Sequence, residues 1–159
     1  MITTTTASPG VTSSVPINVR VNHRIEVQKG GSVVIKDTLS LSTNPGGWIE
    51  ALQNFSIGFP FRYSPNLDYC FAYEATNPKA WLRLASNIGL GRIDFYGVSV
   101  IFDPPVDISK GGSYNFTVVF VFSNLISANS ENTFNLDFPM YPSLTEKSSV
   151  CNVTVVLPI

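Results

Sequence analysis

From Ile17 onward, apolar and polar residues alternate with a period of two. Ile17, Val19 and Val21 interleave with Asn18, Arg20 and Asn22, and Ile25 and Val27 continue the series. Gln28-Lys29-Gly30-Gly31-Ser32 then supplies a glycine turn. Val33, Ile35, Leu39 and Leu41 mark a return strand whose other face carries Lys36, Thr38 and Ser40. Alternation on both sides of a glycine turn predicts a β-hairpin. Asn44-Pro45-Gly46-Gly47 is a second turn cluster. Phe55, Ile57, Phe59 and Phe61 alternate next, and Pro60 limits the end of that run to an edge or bulge. Leu67, Tyr69, Phe71 and Tyr73 form another stripe, which turns Cys70 toward whatever Ala72 packs on.

The pattern continues to the end of the chain. Ile93 to Phe102 reads as a strand closed by Asp103-Pro104-Pro105. Ser109-Lys110-Gly111-Gly112 is a turn, and Tyr114, Phe116, Val118, Phe120 and Phe122 make the clearest stripe. Phe134, Leu136 and Phe138 give one more, and Cys151, Val153, Val155 and Leu157 close the series. Pro78 to Ser86 is the one segment with a helical possibility. Several strands with one apolar face must stack to bury those faces. The expected fold is therefore all-β, a two-sheet antiparallel β-sandwich of about nine short strands. Residues 1–16 are Thr-, Ser- and Pro-rich and are expected to form a disordered tail. Residues 17–159 are expected to form a single domain, and no internal repeat is present.

Composition sharpens the class. Only 13% of the residues are charged, about half the usual share for a soluble domain, while 44% are hydrophobic. Ser, Thr and Asn wet the surface instead, as is common outside the cell or beneath glycans. The net charge of −1 offers no basic footprint for nucleic acid. No run reaches the length of a membrane helix. Met1-Ile2 leads directly into Thr3-Thr4-Thr5-Thr6, which reads as a mature N-terminal tail behind an added Met. The expectation is an extracytoplasmic ectodomain of a membrane-anchored protein, with its targeting and anchoring segments missing. A complete small soluble protein is the alternative.

Candidate chemistry is sparse. Cys70 and Cys151 are the two cysteines, each in an apolar strand-like run. An even count outside the cell favours a disulfide, and two buried thiols are the alternative. His23 is the single histidine and, lying between polar neighbours, is expected at the surface. It cannot build a zinc site with cysteines so far apart in sequence. No G-x-S-x-G is present, and no serine has a base beside it. Asp103 and Asp107 flank Pro104-Pro105 and could hold a cation, though as turn residues they need no such role. Gly89-Leu90-Gly91 reads as a turn because no helix follows it. No catalytic residue, metal or cofactor is expected, so the chain reads as a non-enzyme. Asn54, Asn115 and Asn152 open N-x-S/T sequons, each out of phase with its apolar stripe, which makes them candidate N-glycosylation sites. Plain polar strand residues are the alternative.

The second half is more specific. Asp103-Pro104-Pro105 to Val118 gives an apolar strand end, prolines, a glycine loop and a long apolar strand. Phe138-Pro139-Met140-Tyr141-Pro142-Ser143-Leu144-Thr145 follows, then the closing strand Val153-Thr154-Val155-Val156-Leu157-Pro158. This resembles the luminal region of ribophorin I, the non-catalytic subunit of the oligosaccharyltransferase. That family has a similar Tyr-Pro-x-x-Thr segment before a strand ending in Leu-Pro. The likeness spans residues 17–158 as a pattern, and its sequence weight sits on the Tyr-Pro segment and the glycine-to-strand run. The chain has material for one domain, whereas ribophorin I carries two luminal β-domains, a membrane helix and a cytosolic part. A distant relative, archaeal in its preferred form, is implied. Such a domain would hold a glycosylation enzyme or its substrate within a membrane protein complex of the oligosaccharyltransferase type. A cell-surface adhesion or carbohydrate-binding module, with glycans as the partner, is the alternative. Met140 and Tyr141 would sit on a bend, either capping the core or forming a docking surface.

Overall fold

The computed structural model describes residues 17–43, 51–129 and 133–158. The expected tail and the turn at Asn44–Gly47 lie outside them. The described chain is mostly strand: β1 (Asn18–Val27), β2 (Val33–Ser42), β3 (Leu52–Pro60), β4 (Leu67–Glu74), β5 (Asn77–Ile88), β6 (Phe95–Val106), β7 (Ser113–Phe122), β8 (Ile126–Ala128), β9 (Phe134–Leu136), β10 (Ser143–Leu144) and β11 (Ser148–Val156). Two short 3-10 turns, Phe61–Asn66 and Ser109–Gly111, are the only helical pieces among the described residues. None is long and apolar enough to cross a membrane.

Nine strands hydrogen-bond in the order β10-β3-β6-β5-β4-β7-β2-β1-β11, and β8 and β9 form a small separate hairpin. The long strand β5 joins the two layers. Its first part pairs with β4 and its second with β6. The sheet thereby folds over, placing β3 and β6 against β7 and β2. The segment from Pro78 to Ser86, open to a helical reading in sequence, lies within β5. Its period-two pattern prevails because Leu82 and Leu84 both reach the core.

Phenylalanines interlock the layers. Phe59 of β3 meets Phe120 and Phe122 of β7 edge-on, with centroids 5.2 and 5.0 Å apart. Phe55 and Phe102 both pack edge-on against Phe116, at 5.9 and 5.4 Å. Edge-to-face pairs add to the burial term that drives stacking. Opposite each other on β3 and β6, Gly58 and Gly97 allow a close approach. A Cβ on Gly58 would lie 1.9 Å from the Tyr96 carbonyl oxygen.

The hairpin of β1 and β2 matches the sequence pattern in strand and turn, with Gly31 at φ 83. The strands are antiparallel except that β11 runs parallel to β1, at the edge of the sheet. Ile93 and Phe61, expected on strand stripes, are exposed. Phe61 opens a 3-10 turn, and Ile93 precedes β6.

Candidate binding surfaces

His23 is a core residue, contrary to its expected surface position. Val19, Val21, His23 and Ile25 share the inward face of β1, and Ile35, Asp37 and Leu39 share that of β2. His23 and Asp37 stand directly opposite in the hairpin register, and each is 1% exposed. Nδ1 of His23 lies 2.5 Å from Oδ1 of Asp37, and Nε2 lies 3.1 Å from the carbonyl oxygen of Pro139. A carbonyl can only accept, so Nε2 carries a proton and donates to Pro139. One further proton lies between Nδ1 and the carboxyl, whichever atom holds it. The result is a net-neutral pair that pins the segment after β9 to the sheet.

That segment contains the Tyr-Pro motif. Its prolines bar a continued ladder because they lack the N–H, and residues 137–142 bend as expected. Pro139 is buried, but Met140 is 46% and Tyr141 64% exposed. The two therefore do not cap the core. They border an open cleft of about 550 Å³ that also includes Arg62, Arg92 and Phe95. Arg62 stacks over the Tyr63 ring at 4.6 Å and Arg92 over Phe95 at 5.3 Å. Each guanidinium is also held by hydrogen bonds. Arg62 donates to Asp137 at 3.3 Å and Arg92 to the Leu144 carbonyl at 3.1 Å. Tyr63 donates to Asp137 at 2.8 Å, and burial, reinforced by that bond, pushes its phenol up.

A second surface lies on the outside of the sheet. Ala72 of β4 is fully buried and Cys70 packs against the core, so Tyr69, Phe71 and Tyr73 face outward. The stripe with the larger side chains is thus the outer one. Neighbouring rings along the strand lie 6.2 and 6.1 Å apart and near parallel. Trp81 of β5, 68% exposed, meets Phe71 at 5.2 Å. The row shields Val119 and Val121 of β7, its register partners, which is why these outward valines are buried.

The expected bridge between Cys70 and Cys151 does not form; both are free thiols. Cys70 is on β4 and Cys151 on β11, with β7, β2 and β1 between them. Four strand spacings separate the two by about 19 Å, whereas a bridge needs Cα atoms within about 7 Å. Burial pushes both thiols up, and the nearby Asp37 charge adds to the effect at Cys151. Of the sequon asparagines, Asn54 on β3 and Asn152 on β11 are exposed. Asn115 is half-buried on the interior strand β7, and its carbonyl accepts the Ala75 N–H at 3.1 Å. Asp107 accepts the Ser109 N–H at 2.8 Å, a turn role. No group of three or more potential metal ligands occurs among the described residues.

Sequence reasoning missed the pair of His23 and Asp37 although a signal was present. Each is a polar break in an apolar stripe, and the hairpin register sets the two breaks face to face.

No family model matches the chain, and no curated protein matches it. Among solved structures, a two-domain M1 zinc metallopeptidase bound to L-tryptophan is similar at a TM-score of 0.39 and 9% identity. The match covers 72% of this chain and 22% of that one. The chain thus spans about a fifth of that protein, and a likeness at this level carries no argument about fold or function.

Proposed function

We propose that this chain is a non-catalytic, extracytoplasmic accessory domain, resembling ribophorin I, that supports N-glycosylation within an oligosaccharyltransferase-type membrane assembly. The observation that carries this reading is the pinned bend. Pro139 is tied to His23 in the core, while Met140 and Tyr141 project beside the Arg62–Arg92 cleft. An exposed aromatic two residues from a pinned proline, beside a cleft that two guanidinium groups line, is the composition of an interface anchor. The bend is also where the ribophorin-like Tyr-Pro-x-x-Thr residues fall. The chain's one histidine is committed to holding that bend, a structural duty.

Co-purification tests the reading. The protein expressed in its native membrane should bring down an oligosaccharyltransferase catalytic subunit. Tyr141→Ala should abolish that recovery without lowering the melting temperature. Equal recovery of the catalytic subunit with Tyr141→Ala, or its absence from the wild-type sample, would defeat the proposal.

A further inference from the structure

The outer face of the larger layer holds a second surface, independent of the bend. Following the strand register across it gives one continuous line. Trp81 of β5 is opposite Tyr73 of β4, Tyr73 opposite Thr117 of β7, and Thr117 opposite Thr38 of β2. Thr38 is opposite Asn22 of β1, and Asn22 opposite Asn152 of β11. The six side chains share one face and span five strand spacings, about 24 Å. Two aromatic rings are followed by two hydroxyls and then two carboxamides.

We infer that this line is a binding site for a neutral oligosaccharide laid across the strands. A sugar chain has apolar C–H faces and hydroxyl edges, and each hydroxyl both donates and accepts. The line offers both complements in sequence. Trp81 supplies an exposed ring for the apolar face. Thr117 forms the floor, its hydroxyl bonded to that of Thr38 at 3.0 Å. Asn152 donates its amide to the Asn22 side-chain oxygen at 3.0 Å. That bond leaves the Asn22 amide hydrogens and the Asn152 side-chain oxygen as a donor and an acceptor side by side for a ligand. Thr38, Asn22 and Asn152 lie in a depression of about 510 Å³ that Ser40, Asn115 and Arg20 also line.

The charge pattern selects the ligand class. No residue of the line is ionic. The nearby cations Arg24 and Lys36 are both engaged by Glu26, at 2.7 and 3.1 Å, which leaves Arg20 as a single cation at the rim. That arrangement does not suit a phosphate backbone, which needs several unengaged cations, and its run of hydroxyls and carboxamides is more polar than the core of an obligate protein interface. The ladder beneath the line keeps the six groups in fixed register.

Isothermal titration provides the test. The full chain, produced in a host that adds no N-glycans, is titrated with chitohexaose, mannohexaose and cellohexaose. At least one should bind. Trp81→Ala and Asn22→Ala should each weaken that binding about tenfold or more. Trp81→Phe should recover part of the loss, and Tyr141→Ala should leave binding unchanged. Trp81 and Asn22 are exposed, so unchanged melting temperatures confirm that a loss reflects the site. Absence of binding to all three sugars at millimolar concentration, or binding that survives both substitutions, would overturn the inference. It would leave the docking proposal at Tyr141 standing.

Discussion

Replacing His23 with Ala removes the hydrogen-bond partner of a fully buried carboxyl group. Asp37 is 1% exposed, and among the described residues its side chain hydrogen-bonds to His23 alone. The substitution also strips the Pro139 carbonyl of its donor. Breaking a buried pair from one side costs about 3–5 kcal/mol. In a domain of this size that lowers the melting temperature by about 6–20 °C. The loss should depend on pH. Burial holds the Asp37 carboxyl above the usual carboxylate range, opposed by the hydrogen bond and charge of His23. A raised folded value means that the folded state keeps a proton the unfolded chain has released. The associated stability is full below the unfolded value of 3.8 and is lost as pH rises through the folded value. Without His23 to oppose the effect of burial, the folded value rises further, so the deficit of His23→Ala should widen as pH rises above the unfolded value, for instance from about pH 5 to about pH 8 in the assay. Asp37→Asn behaves differently. Its amide can donate to Nδ1 while Nε2 still donates to Pro139, so its cost should be about 1 kcal/mol and nearly flat over the same range. Urea titrations at the two pH values measure all of this. A His23→Ala protein within about 1 kcal/mol of wild type at about pH 8 would refute the pinned-pair reasoning.

Gly58→Ala should destabilise the protein by roughly 1–3 kcal/mol or more, because the new Cβ meets backbone and not a movable side chain. Gly97→Ala, whose Cβ first meets the Leu90 side chain at 2.5 Å, should cost less in the same denaturation assay. Denatured, unreduced protein should react with an alkylating reagent at both Cys70 and Cys151, and mass spectrometry should record two adducts. Burial and the Glu74 carboxylate push the Tyr114 phenol up to about 12, so ultraviolet titration should show Tyr114 ionising late, alongside the raised Tyr63, and Glu74→Gln should bring the Tyr114 step forward.

Much of the fold was legible in the chain because strand periodicity is a local property. The β1–β2 hairpin, its glycine turn and the β7 stripe follow directly from alternation. Alternation does not say which face is inward. On β4 the residues with the larger rings, Tyr69, Phe71 and Tyr73, lie outside, while the inward Cys70 and Ala72 stand beside Phe120 and Val118 of β7. Pairing across the sheet was likewise invisible. The parallel placement of β11 beside β1 depends on long-range docking, and it is this placement that separates Cys151 from Cys70. His23 was misplaced by weighing its sequence neighbours over its position in the stripe of Val19, Val21 and Ile25. The bend at Pro139–Pro142 was readable from proline chemistry, but its attachment to the core required the tertiary contact with His23. The outer line from Trp81 to Asn152 joins six strands and exists only in the assembled register.

Cross-linking mass spectrometry of the protein in its native membrane tests the docking proposal most directly. Lys147 is exposed, just beyond the Met140–Tyr141 bend and next to Glu146 of the cleft. A lysine-reactive cross-linker should join Lys147 to a catalytic subunit of an oligosaccharyltransferase, and Tyr141→Ala should eliminate that link. Cross-links from Lys147 that persist in Tyr141→Ala, or that reach no glycosylation enzyme in the wild type, would contradict the assignment of this domain to such an assembly.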